Sequence, residues 1–287
     1  MLQAIITGLL LGGLYALVGL GLSLIFGIVK VTNIAHGDLM ITSTFITMVL
    51  TNYVFKNVFI SILVSMVVMA ILGIVIQKFL INTVIDSGST AALLVMFGLS
   101  IALQNALELI FGVNNQTLAT PFKGNNFIST PLVSISWPYF INFVVALVLI
   151  VAVALLMKKT PIGRSIRAAS SDTMAAELQG INTKTMYVWA MAITMIATTV
   201  AGALIGQTYS FFPATGTQYL LIAFGVVTIG GMGSIFGTLL GGVVLGLAQL
   251  IGAYFFGVSW QTLTGYLVLI VLLVIRPNGL LGNAMRK

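Results

Sequence analysis

The sequence predicts an all-α, polytopic bundle of membrane helices, about eight to ten spans with nine favoured, and two observations carry that reading. Only 6% of the 287 residues are charged, 59% are hydrophobic, and the mean hydropathy is +1.16. Soluble domains carry about 25% charged residues, so a fourfold shortage leaves too little polar surface to face water. The apolar residues also fall in runs of about 20, enough for a helix to cross the ~30 Å hydrocarbon layer.

In chain order the runs are 2–28, 38–55, 57–80, 90–112, 137–157, 187–210, 217–233, 236–256 and 259–275. The first is apolar from Leu2, and no cation precedes Lys30, so it lacks the basic start of a cleaved leader and is expected to persist as a helix. The seventh is the least regular. It ends in Gly230-Gly231-Met232-Gly233, which marks a span end or a re-entrant or broken helix. Between runs four and five, residues 113–136 are polar, contain Pro121 and Pro131, and read as an external loop. Residues 158–186 hold Lys158, Lys159, Arg164, Arg167, Lys184, Asp172 and Glu177. They form the largest cytoplasmic segment of what reads as a single membrane domain over 1–287, with five runs before it and four after.

Orientation follows from the cations. With the N-terminus outside and every run crossing, Lys30, Lys78, Lys158, Lys159, Arg164, Arg167, Lys184, Arg276, Arg286 and Lys287 face the cytoplasm, and only Lys56 and Lys123 lie outside. If 217–233 fails to cross, the last three change sides. The formal charge of +7 is spread one or two residues at a time between apolar runs, which suits lipid headgroups rather than nucleic acid. The absence of cysteine excludes disulfides and thiolate metal sites.

Four patterns are candidates for function. Within 158–186, Pro161 suits a helix start, and Ile166, Ala169, Thr173 and Ala176 recur at helical spacing, with Arg167 and Asp172 off that face. Such a segment is either a docking peg for a soluble partner or an ordinary interfacial helix. Asn33-Ile34-Ala35-His36-Gly37-Asp38 holds the single histidine at the junction of runs one and two. Asn33 or Thr32 caps the second helix with Asp38 near its positive end, or His36 and Asp38 form an inner gate or a contact with a cytoplasmic partner. In run four, Gln104, Asn105 and Glu108 cluster; an acid there lines a passage, binds a substrate ammonium group, or reaches back to the nearby outer interface. Finally, Gly8 and Gly12, Gly237 and Gly241, and Gly242 and Gly246 have the four-residue spacing that lets helices approach closely in lipid.

One histidine and no cysteine cannot build a metal shell, and no nucleophile elbow, His-Glu-x-x-His or Walker A pattern is present. A membrane enzyme is therefore disfavoured, and active transport requires a separate ATPase or a coupling ion. A passive small-solute channel, built on helix breaks at Asn33 and at Gly230 to Gly233, is the competing reading.

Taken together, Gly12-Gly13-Leu14-Tyr15-Ala16-Leu17, Gly19 to Gly27 and Asn33 to Met40 resemble the opening of the branched-chain amino acid ABC permease family. Thr160 to Ala168 with Asp172, Ala176 and Gly180-Ile181-Asn182 resemble its centre. Ala223-Phe224, Gly230 to Ser234, Gly237 and Gly241-Gly242, then Arg276 to Gly282, resemble its second glycine-rich block and its ending. The resemblance implies one membrane subunit of a bacterial inner-membrane importer, similar in type to the vitamin B12 importer permease without its first helix. It implies a second permease subunit, by family habit a paralogue, two cytoplasmic ATPases holding ATP and Mg, and an extracytoplasmic solute-binding protein, with no cofactor on this chain. Gly163, Arg164, Arg167, Asp172, Ala176 and Gly180 then belong to an ATPase-coupling loop, which departs from the wider importer pattern at Met174. Branched-chain amino acids are the implied cargo, with urea or short amides as the alternative.

Overall fold

The computed structural model describes residues 1–120, 126–130 and 133–282, apart from the side chain of Ser89. Pro121, Lys123, Pro131, Arg286 and Lys287 lie outside the described residues. The helices are α1 Leu2–Val29, α2 His36–Val49 with a π-helical extension Leu50–Phe55, and α3 Val58–Val75. A π-helical stretch Ile76–Ile81 and the short α4 Asn82–Val84 prolong the third span to Ser87. Next come α5 Ser89–Phe111, a two-stranded hairpin (β1 Asn126–Ser129, β2 Ser134–Ser136, antiparallel with Ile128 opposite Ile135), and α6 Trp137–Lys159. Two short helices, α7 Pro161–Ser171 and α8 Thr173–Leu178, precede α9 Thr183–Thr208, α10 Thr215–Gly230, α11 Ile235–Phe256 and α12 Gln261–Ile275.

Eight of these helices are long and apolar enough to cross a membrane, and α10 is a shorter ninth. At 1.5 Å per residue its 16 residues span about 24 Å, short of the hydrocarbon layer. The bundle is built around α1, which touches α6, α7, α9, α10 and α11. Its glycines set that packing. A Cβ on Gly8 would sit 3.1 Å from the Gly246 carbonyl, and one on Gly246 2.8 Å from the Gly12 Cα, so α1 and α11 meet backbone to backbone. Only hydrogen at these positions permits that approach, where dispersion replaces the hydrophobic effect as the attraction.

These contacts also fix direction. Gly8 meets Gly246 and Gly12 meets Gly242, so α11 runs antiparallel to α1. Gly19 meets Val226 and Gly27 meets Gly233, so α10 runs parallel to α1. Arg276, after α12, therefore lies on the same face as Lys30, together with Lys78, Lys158, Lys159, Arg164, Arg167 and Lys184, whereas Lys56 lies opposite.

Three expectations are corrected. The glycines 230–233 do not break a helix in mid-membrane. Gly231 (φ 100°) ends α10 at the cationic face, and Leu280 and Leu281 donate backbone hydrogens to its last carbonyls, Ile229 (2.8 Å) and Gly230 (3.0 Å). The re-entrant stretch is at the other end of α10. Residues 158–186 do not carry one helical face, because Asp172 adopts extended backbone and N-caps α8 through Ala175 (3.0 Å). Ile166, Ala169 and Ala176 are buried but Thr173 is exposed. Neither Asn33 nor Thr32 caps α2, whose N-cap is Ala35, with no side-chain hydrogen bond.

Candidate functional site

The segment 30–38 lies deeper than its position between two runs implied. Lys30 closes α1 in a left-handed turn (φ 56°), and the chain then reverses. His36 Nε2 lies 3.0 Å from the carbonyl of Val18, eleven residues before the end of α1. Those eleven residues correspond to about 16 Å of helix, and the six residues Lys30–Ala35 can cover about 20 Å when extended. Thus 30–35 re-enters the bundle and α2 starts near mid-membrane.

A second segment mirrors it. After α9 ends at Thr208, residues 209–214 turn back inward, and α10 begins against α2. The two turns share one form. His36 N donates to the Asn33 carbonyl (3.3 Å) and Thr215 N to the Phe212 carbonyl (3.0 Å), with N-caps Ala35 and Ala214 and glycines Gly37 and Gly216 next but one. A Cβ on Gly37 would lie 3.0 Å from Leu220 N, and one on Gly216 2.9 Å from Asp38 Cα, so either glycine is needed for the two helix starts to touch.

Asp38 thereby sits in the first turn of α2 and against the first turn of α10. Each helix N-terminus presents roughly half a positive charge, so a carboxylate there complements both without a basic side chain. Ser100, midway along α5, donates to Asp38 Oδ2 (2.5 Å). Because a carbonyl can only accept, His36 donates from Nε2 to Val18. Its Cε1 lies 2.7 Å from where a Gly21 Cβ would be, beside Thr198, so the ring fills a niche between α1 and α9. Asn33, His36 and Asp38 are at most 2% exposed. Among the described residues no three His, Asp or Glu side chains converge as a metal shell would require.

The candidate residues thus fall into four places. Asn33, His36, Gly37 and Asp38 form the mid-membrane junction, too buried to touch a cytoplasmic partner directly. Gly163, Arg164, Arg167, Asp172, Ala176 and Gly180 lie on the cationic face: both arginines are exposed, a Cβ on Gly163 would lie 2.6 Å from the Met157 Cα, and Gly180 turns at φ 80°. Gln104, Asn105 and Glu108 lie towards the opposite end of α5, where Asn105 is exposed and bonds to the Ile101 carbonyl (2.8 Å). Gly230, Gly237 and Gly241 form the crossing of α10 with α11, Gly233 meets the inner end of α1 at Gly27, and Gly231 meets the C-terminal segment at Leu281 and Gly282.

Sequence reasoning missed Ser100, Thr215 and Gly216, and the buried pair in which the Tyr15 hydroxyl donates to Gln249 Oε1 (2.8 Å). The repeated Ala-x-Gly at 35–37 and 214–216 was the available signal for the first group.

Eight helices long and apolar enough to cross a membrane, packed around a buried polar junction, define the class: a multi-pass membrane protein. The family follows from residues 4–276, which match the profile described as branched-chain amino acid transport system / permease component, and the chain belongs to that family. The high-affinity branched-chain amino acid transport permease BraD of Pseudomonas aeruginosa is 29% identical, over 98% of this chain and 96% of its own. LivH of Escherichia coli K12, a permease of the same description, is 28% identical over the same shares. The solved structure of PsaBC from Streptococcus pneumoniae with Fab aligns at a TM-score of 0.49 and 15% identity, covering 96% of this chain and 91% of that one.

Proposed function

We propose that this chain is one of two membrane subunits of an importer in a bacterial cytoplasmic membrane, moving branched-chain amino acids inward. Cargo arrives from an extracytoplasmic binding protein, and two cytoplasmic ATPases, which hold ATP and Mg, drive alternating access. The observation that carries this reading is α7–α8. It is a pair of short helices on the cationic face, carrying Arg164 and Arg167 balanced by Asp172 and Glu177, with Arg164, Arg167, Met174 and Leu178 exposed and Gly163, Ile166, Ala169 and Ala176 buried against the bundle. Such a segment suits docking to a soluble motor.

The bundle interior is filled by α1, so the passage belongs between two permease subunits rather than within one. The exposed face of α5 fits that place. Gly98, Ala102 and Asn105 lie along it among exposed Leu94, Phe97 and Ile101, whereas the exposed faces of α3, α6 and α12 carry mainly Leu, Ile, Val and Phe. Small and polar residues favour a protein neighbour.

Charge reversal of Arg164 and Arg167 together is the test. Membrane insertion is expected to be normal, while uptake of radiolabelled leucine falls at least about tenfold, the loss of ~1.4 kcal/mol of coupling. Normal uptake by the double variant would overturn the docking role.

A further inference from the structure

α5 is loosely held and jointed at both ends. It packs on α2 and on the short segments 76–81 and 85–87, and most of its surface is exposed. Gly88 (φ 103°) precedes it and Gly112 (φ 73°) follows it, both in open space and in a conformation that only glycine adopts freely. The Ser100–Asp38 bond and the stacking of Phe111 on Phe45 (4.5 Å) tie it to α2, and the two glycine joints let it swing about that attachment.

Its inner end is fastened to the coupling region at one place. Lys184 Nζ pairs with Asp86 Oδ2 at 2.6 Å, across 98 residues of sequence. Asn82 Nδ2 donates to the Lys184 carbonyl (3.3 Å), and Gln77 Nε2, buried in the π-helical stretch, donates to Asn82 Oδ1 (2.9 Å). On the other side, Thr183 donates to Glu177 of α8 (2.5 Å). A continuous set of polar contacts thus runs from α8, through the first turn of α9, to the loop that enters α5 at Gly88.

The Lys184–Asp86 pair is half-exposed on one side and well exposed on the other, so it adds little to stability. It does bridge the first turn of α9 to the turn that enters α5. We infer that Lys184 and Asp86, with Asn82, form a clasp that passes movement of α7–α8 to α5, with Gly88 as its hinge. They are positioning residues, and the inference rests on the importer reading above.

The experiment uses the assembled transporter in proteoliposomes, with radiolabelled leucine uptake and ATP hydrolysis measured on the same vesicles. The variants are Asp86→Lys, Lys184→Asp, and the two combined. Each single reversal places like charges together and is expected to raise ATP hydrolysed per leucine at least about fivefold, at unchanged amounts of assembled complex. The combined swap restores the pair and is expected to return the ratio to within about twofold of the unaltered protein. Unchanged ratios in the singles, or a swap as poor as the singles, would overturn the clasp alone. Leucine uptake by the unaltered complex that is absent or proceeds without ATP would overturn the importer reading, and the clasp with it.

Discussion

At the scale of single residues, Asp38 is the informative case. An acid in hydrocarbon costs a few kcal/mol unless its surroundings supply charge or hydrogen bonds. Here Ser100 bonds Oδ2 and the facing starts of α2 and α10 supply positive helix ends, while Oδ1 accepts no hydrogen bond. Asp38→Ala is expected to lower the stability of the purified protein by about 2 kcal/mol, through loss of an acceptor to the partly buried Ser100 hydroxyl and of two helix-end interactions. Ser100→Ala should cost about 1 kcal/mol. Thermal unfolding in detergent checks both, and equal effects from the two would contradict the double-helix-end account. The sequence made Asn33, His36 and Asp38 conspicuous, since polar residues are scarce in this chain. Their depth was illegible. Lys30 marks the membrane surface and the apolar run resumes at Leu39, and nothing local reveals that the residues between turn back inward. That depth comes from a contact between Gly37 and Gly216, 179 positions apart.

Helices and their joints were far more readable. Apolar length alone located the spans, because a membrane helix satisfies its own backbone and needs little else. The third continues to Ser87 through a π-helical stretch, the sixth starts at Thr183, and the seventh, α10, proves too short to span the hydrocarbon layer. Four-residue glycine spacing foretold close packing, and α1 and α11 realise it at Gly8, Gly12, Gly242 and Gly246. Gly12→Leu should therefore separate these helices and cost at least about 3 kcal/mol, read as failure to accumulate folded protein in the membrane. Wild-type accumulation of that variant would contradict the contact. The α7–α8 break was hidden because alanine-rich sequence favours helix on both sides of Asp172. Asp172→Ala removes the cap on α8, worth about 1 kcal/mol, so amide hydrogen exchange across 173–178 should quicken about fivefold. Unaltered exchange there would show that α8 does not depend on its cap.

For the whole molecule, the arrangement separates three tasks by depth. A cationic face carries α7–α8, a polar junction joins two helix starts in the middle, and a jointed helix, α5, exposes Gly98, Ala102 and Asn105 among apolar residues. The contacts of α1 with α10 and α11 fix the directions of those helices, and under the proposed function the face rich in cations is the cytoplasmic one. Because the chain contains no cysteine, single introduced thiols report sidedness directly. Two exposed positions suffice, Leu178 in α8 (84% exposed) and Val258 between α11 and α12 (79%). A membrane-impermeant maleimide applied to intact cells should label Val258→Cys and leave Leu178→Cys untouched until the membrane is opened. Labelling of Leu178→Cys from outside intact cells would place the docking helices on the wrong face and contradict an importer driven from the cytoplasm.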